Sequence, residues 1–233
     1  MVIHRLIRHL KGREAKRKRL LKKAPEGPLK EFLSVPLPSL DTPINQVPIL
    51  ALDFETTGLD AKADKLLSAG FVTLQNEQIK LGTCYHQIIK TKEQLEESNV
   101  IIHHITDEQK DQGEKLRTVI EALLHALAGK VMLVHFARIE RQFLTQACLE
   151  LYGMAPDFAI IDTLVIAKRQ LDKRDVAYDP SELRLPNLRR KYALPDHHGH
   201  NALNDAIATA ELLLAQINNK PKTDKIQLRD LIL

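Results

Sequence analysis

Apolar and polar positions change rhythm repeatedly along the chain. Val2, Ile3, Leu6, Ile7 and Leu10 recur at helical spacing among Arg5, Arg8 and Lys11, which predicts a short basic amphipathic helix. From position 47 the pattern becomes strand-like. Ile49–Phe54 is a nearly continuous apolar run of buried-strand length, while Lys65–Leu74 and Gln78–Ile89 alternate about a turn at Gln75–Glu77. An antiparallel meander is expected there. The period then lengthens: Glu114–Ala128 sets Leu116, Val119, Ile120, Leu123, Leu124 and Leu127 on one helical face, and Gly129 ends it. Val131–His135 reads as a fourth strand and Ala137–Tyr152 as a helix with Ile139, Phe143, Ala147 and Leu151 inward. Phe158–Ile161 follows as a short fifth strand, then helices over Asp162–Arg169, Ser181–Tyr192 and Ala202–Asn218. Strands in succession, then alternating helices and strands, predict an α/β fold: a mixed sheet flanked by helices.

Six of the eleven prolines fall between Pro25 and Pro48, so this stretch is expected to be an extended linker or a strap along the domain. The expected organisation is a basic arm and Pro-rich linker at 1–46, a folded domain at 47–220 and a tail at 221–233. Residues 1–30 hold 11 Lys or Arg against 2 Asp or Glu, an excess larger than the whole-chain net charge of +4, so the rest is mildly acidic. Such an arm suits nucleic acid, an acidic protein surface or an anionic membrane; a solvated arm without a specific partner is the plain alternative. No run approaches the roughly 18 to 20 apolar residues of a membrane span. The start lacks the apolar region of a secretory signal, and although Arg-rich it has no Ser in its first 33 residues, unlike a transit peptide. Cys84 and Cys148 are far apart and form no CxxC pair, which argues against a disulfide framework or zinc site and fits a reducing cytoplasm.

Three segments carry candidate chemistry. On the first strand, Asp53 and Glu55 point to one face, and two like charges on a buried strand are costly unless a cation or a shared proton relieves them. Oxygen ligands of this kind suit Mg²⁺ or Mn²⁺; the alternative is an exposed turn before Gly58. Near the C-terminus, Asn201 is a good N-cap for the last helix, with His200 just before it and Asp205 in its early turns. Leu203, Ile207, Ala210 and Leu214 form the expected apolar stripe, and Asp205 faces away from it, to solvent or a site. A loop His beside metal carboxylates can take a proton near neutrality, with His197 and His198 as rivals; three idle loop histidines, or a His-rich transition-metal site, are the other readings. In the middle, Glu140 lies beside a helical stripe near the helix start, where the helix dipole alone would favour an acid.

Together these segments resemble the three motifs of the DEDD exonuclease superfamily. The resemblance is to its DEDDh branch, which includes the proofreading epsilon subunit of bacterial DNA polymerase III. The motifs are Leu52-Asp53-Phe54-Glu55-Thr56-Thr57-Gly58, then His135-Phe136-Ala137-Arg138-Ile139-Glu140, then His200-Asn201-Ala202-Leu203-Asn204-Asp205-Ala206. Smaller echoes are Ile102–Thr106, Ile161–Leu164 and Leu185–Tyr192, so the likeness runs over about residues 47–218. It implies an RNase H-like sheet and a two-metal 3′→5′ exonuclease releasing nucleoside 5′-monophosphates from single-stranded 3′ ends. Asp53 would bind both cations, Mg²⁺ or Mn²⁺; Glu55 and Asp205 would complete the first and Glu140 support the second, with His200 as general base. Thr56, Thr57, the apolar wedge Leu59 and His103 would position the terminal nucleotide. DNA is the expected substrate, with a polymerase or repair partner possible. An RNA or short-oligonucleotide exonuclease, or a weakly active binding module, stands as the alternative. The chain departs from the family in carrying Glu140 for the usual Asp, Phe136 for the usual Asn and His104 for the usual Gly. Aromatic residues make up only 4% of the chain, with no Trp, so extended stacking platforms are scarce.

Overall fold

The structure, a computed structural model, describes residues 2–91, 105–173, 177–219 and 226–233, with side chains from residue 12 onward apart from Asp107. Its strands are β1 (Ile49–Thr56), β2 (Leu66–Gln75), β3 (Gln78–Ile88), β4 (Val131–Val134) and β5 (Ile160–Asp162). They lie in the order β3-β2-β1-β4-β5. The β1–β2 and β2–β3 pairs are antiparallel, while β1–β4 and β4–β5 are parallel. The expected mixed sheet is therefore present, and the apolar run of β1 is explained by its central place. The helices are α1 (Val2–Leu21), α2 (Pro28–Ser34), α3 (Asp107–Asp111), α4 (Leu116–Leu127), α5 (Arg138–Tyr152), α6 (Thr163–Asp172), α7 (Leu185–Lys191), α8 (Ala202–Asn218) and α9 (Leu228–Leu231).

Strand alternation divides the interior into two layers. Leu50, Leu52 and Phe54 of β1 join the core under α2, α4 and α5. Ile49 and Ala51 face the opposite layer, built with Ala206, Ala210, Leu213 and Ile217 of α8 and with Leu228 and Leu231 of α9. Asp53 and Glu55 continue the row of Ile49 and Ala51. The acidic pair thus emerges where α8 starts over the sheet.

Several expectations are corrected by packing. The stretch Pro25–Pro48 is not uniformly extended: Pro28 opens α2, at a helix position where a missing N–H costs nothing. Leu29 and Leu33 of that helix, each 1% exposed, lie in the core layer with Leu50 and Leu52. The helix expected over Ser181–Tyr192 is broken into a 3-10 turn, Pro180–Leu183, and α7, with extended Arg184 between them. Pro186 has no N–H to bond back to the preceding turn. Residues 226–233 fold onto the sheet, burying Leu228, Leu231 and Ile232, and Ile232 bridges Ile161 of β5. Among the described residues no helix is long and apolar enough to cross a membrane. Cys84 is exposed and Cys148 buried, both free.

Candidate active site

Asp53 and Glu55 lie at the C-terminal end of β1, opposite Gly70 and Ser68 of β2, and the strand register shifts just after Glu55. The N-terminus of α8 crosses β2 at Gly70. A Cβ there would come within 2.1 Å of the Leu203 backbone nitrogen, so only glycine permits the approach. The face of α8 on the sheet is Ala202, Ala206, Ala210, Leu213 and Ile217, rather than the stripe of Leu203, Ile207, Ala210 and Leu214 read from spacing; Leu203, Ile207 and Leu214 are half-buried. Small side chains let the helix sit close, and this rotation brings Asp205 to the edge of the buried face. Asp53, Glu55 and Asp205 each offer a carboxylate oxygen, and these oxygens lie within 4.8 Å of one another.

Glu140 joins the site from the other layer. The buried positions of α5 are 140, 143, 144, 147 and 148, a full helical stripe, so Glu140 occupies a core position instead of lying beside one. It is 3% exposed, and its Oε2 has no hydrogen-bond partner among the described residues. Burial first, helped by the charges of Asp162 and Glu55 and opposed by a hydrogen bond from its own backbone N–H, pushes its carboxyl up to about 8. Burial, then Glu140, Glu55 and Asp205, likewise raise Asp53 well above the usual carboxylate range. Asp205 is raised by burial and Glu55, with His197 opposing. Packing thus draws together carboxyl groups whose ionisation burial and one another oppose. A divalent cation is the fitting counter-charge for oxygen donors so arranged.

The histidine loop meets Asp205 at two points. His197, not His200, places its ring on Asp205, with Nε2 2.9 Å from Oδ1. His200 donates its backbone N–H to Asp205 Oδ2 at 2.7 Å and leaves its side chain exposed, on left-handed backbone at φ 63°. Asn201 caps α8 as expected, its side chain accepting from Asn204 N at 3.1 Å. Buried Arg189 of α7 holds the loop in place, donating to Pro195 O at 2.9 Å and Ala208 O at 2.8 Å and pairing with Glu211 at 2.7 Å.

Thr56 and Thr57 direct their hydroxyls into their own loop, Thr56 Oγ1 to Gly58 O and Thr57 Oγ1 to Asp64. Gly58 packs against the Asp64 carboxylate so closely that a Cβ would lie 2.5 Å from it. Leu59 is 69% exposed beyond them. His103 lies outside the described residues. Spacing alone did not reveal His86, which stands in register with Gly70 and hence in line with Asp53. A cavity of about 470 Å³ beside Glu55 is lined by Ser68, His86, Ile105, Gln109 and the loop from His197 to Asn201. Burial lowers the His86 pKa, with Glu55 opposing. Only the cross-strand register exposes His86, and that register could not be read from the chain.

Residues 50–213 match the family model RNase_T, described as Exonuclease. A DNA polymerase III PolC-type protein of Thermotoga petrophila is 30% identical over 176 residues, covering 76% of this chain but 12% of that protein. The chain therefore spans a small part of such relatives. DNA polymerase III subunit epsilon of Treponema pallidum is 27% identical over 177 residues, 76% of this chain and 79% of that one. Among solved structures, the nuclease domain of 3′hExo, a DEDDh family member, bound to rAMP, has a TM-score of 0.63 at 16% identity, covering 76% of this chain and 95% of that domain. That likeness shows the fold.

Proposed function

This chain belongs to the exonuclease family matched over residues 50–213, and from that membership we propose that it shortens nucleic-acid strands from the 3′ end. In this reading it uses two divalent cations, Mg²⁺ or Mn²⁺, and releases nucleoside 5′-monophosphates, with DNA the favoured substrate. The observation that carries the reading is the meeting of Asp53, Glu55 and Asp205 oxygens within 4.8 Å, beside the unpartnered buried oxygen of Glu140.

Asp53 would hold both cations, with Glu55 and Asp205 on the first and Glu140 on the second. When bound, such ions stabilise the attacking and leaving oxygens of an in-line displacement. His200, exposed in the loop before α8, takes the proton of the attacking water. His197 keeps Asp205 oriented through its 2.9 Å contact. The loop braced by Thr56 and Thr57 presents backbone and Leu59 to the terminal nucleotide; His103 is a further contact in this reading. Without cations, the clustered carboxylates repel a phosphate.

Both curated relatives are DNA polymerase III proteins, which favours DNA and a polymerase or repair assembly as the setting. RNA is the second reading, favoured by the solved relative bound to rAMP. The basic arm is proposed to add a salt-dependent hold on nucleic acid or an acidic protein surface. The deciding experiment offers 5′-labelled and 3′-labelled single strands of DNA and of RNA with Mg²⁺ or Mn²⁺. A ladder of shortened 5′-labelled products, with early release of the 3′ label as a mononucleotide, is expected. Binding without cleavage in either metal would reject the enzyme in favour of a binding module.

A further inference from the structure

We propose that Phe136 is a stacking surface for a base of the bound strand, an inference that rests on the nuclease reading above. β4 ends at Val134 and runs parallel to β1, whose own C-terminal end carries Asp53 and Glu55. Phe136 therefore stands at the carboxylate end of the sheet, on the turn that leads into α5 and Glu140.

Its neighbours on that turn point inward. His135 bonds Thr163 Oγ1 at 2.8 Å and Leu183 O at 3.0 Å, and Ala137 is 3% exposed. Phe136 is 45% exposed, whereas Phe54, Phe71, Phe143 and Phe158 are buried and Phe32 is half-buried. The exposed Leu59 follows β1, the parallel neighbour of β4. Two large apolar side chains are thus kept in water at one end of the sheet.

The backbone of Phe136 is left-handed, at φ 71°, a conformation that is unfavourable for a bulky residue. Buried Asp162 imposes it, accepting from Phe136 N at 3.1 Å and Ala137 N at 2.8 Å. Asn, the residue the family motif carries here, tolerates that backbone better. This chain accepts the strain and exchanges a polar side chain for an exposed aromatic face. Strain held this firmly gathers at binding sites. A nucleobase fits the face because every base has a π surface, and one such stack changes affinity by about 5- to 150-fold.

The test measures binding of a ten-nucleotide DNA strand in Ca²⁺, intact or abasic at its two 3′-terminal positions. Phe136→Leu, which keeps apolar bulk, is expected to weaken the intact strand about 5-fold or more and leave the abasic strand unchanged, with Phe136→Trp restoring the preference. Phe136→Asn is expected to lose the same preference while its unfolding midpoint stays at or above that of the wild type. Equal weakening of both strands by Phe136→Leu, or of neither, overturns the base contact alone. Failure of the wild type to bind either strand, and likewise the same sequence as RNA, overturns the nuclease reading, and this inference with it.

Discussion

Asp162 and Glu140 are equally withdrawn from water, each 3% exposed, and close enough for one to raise the pKa of the other. Asp162 accepts hydrogen bonds from the backbone N–H groups of Phe136, Ala137, Leu164 and Val165. It ties the β4–α5 turn to the start of α6 and caps that helix. Glu140 has an oxygen with no hydrogen-bond partner among the described residues and is pushed up to about 8. Burial therefore does not by itself mark a functional acid. What separates the two is whether the fold supplies donors to both oxygens. Where it does, the acid holds structure together; where it does not, the fold carries an electrostatic cost that a cation can offset. Asp205 stands between these cases, with one oxygen met by His197 and the other by His200 N–H.

Substitution should drive the two kinds of acid in opposite directions. The largest effect is expected at Asp53, among the three other acids: Asp53→Asn should cut nuclease turnover by about 10³-fold or more. The same change removes a like charge, so the metal-free protein should melt at a higher temperature. Lost turnover with a lowered midpoint would place Asp53 with Asp162 as a structural acid. His200→Ala is expected to cost about 10²-fold or more in kcat with cation affinity retained, and His197→Ala less, with weakened cation binding through Asp205. If His197→Ala lowers kcat further than His200→Ala, the base has been assigned to the wrong ring. Asp162→Ala should destabilise the fold by about 3 kcal/mol, because buried N–H donors lose their acceptor. Calorimetric unfolding measures this, and a neutral result would remove the contrast with Glu140.

The two halves of this contrast were unequally visible in the chain. Asp53 and Glu55 could be placed because strand alternation is local, and Asn201 because a cap is set by the helix it opens. The mixed sheet followed from the order of the periodicities. Spacing sets Glu140 beside the α5 stripe because Ile139, Phe143, Ala147 and Leu151 form an apolar series of their own. The observed series, 140, 143, 144, 147 and 148, includes a carboxylate that no hydropathy pattern would admit to a core. The face of α8 was missed for a related reason: alanines are weak hydrophobic signals, and Gly70, which lets the helix descend, belongs to another strand. Asp162 was legible as part of an Asp-Thr-Leu echo, but its hold on Phe136 and Ala137 spans the β4–α5 and β5–α6 corners. Helix rotation and strand register are tertiary properties, and His86 and Arg189 depend on them as well.

The smallest expected effect tests the contrast without catalysis. Burial raises Glu140 from 4.5 to about 8, so the folded protein holds that proton more tightly than the unfolded chain. The resulting stability is complete below the unfolded value and is lost as pH rises through about 8. Asp53 and Asp205 act in the same direction. His135, lowered from 6.5 to about 4, acts oppositely, but its contribution is complete above about 6.5. The window that isolates the acids is therefore from about pH 6.5 to about 8. Across it the metal-free midpoint should fall, and Glu140→Gln should flatten the fall. Mn²⁺ requires the ionised carboxylates, so the midpoint gained on adding it should widen over the same interval. A wild-type profile parallel to that of Glu140→Gln, with or without Mn²⁺, would show that the unpartnered oxygen is already satisfied within the fold, and would leave Asp162 and Glu140 as two acids of one kind.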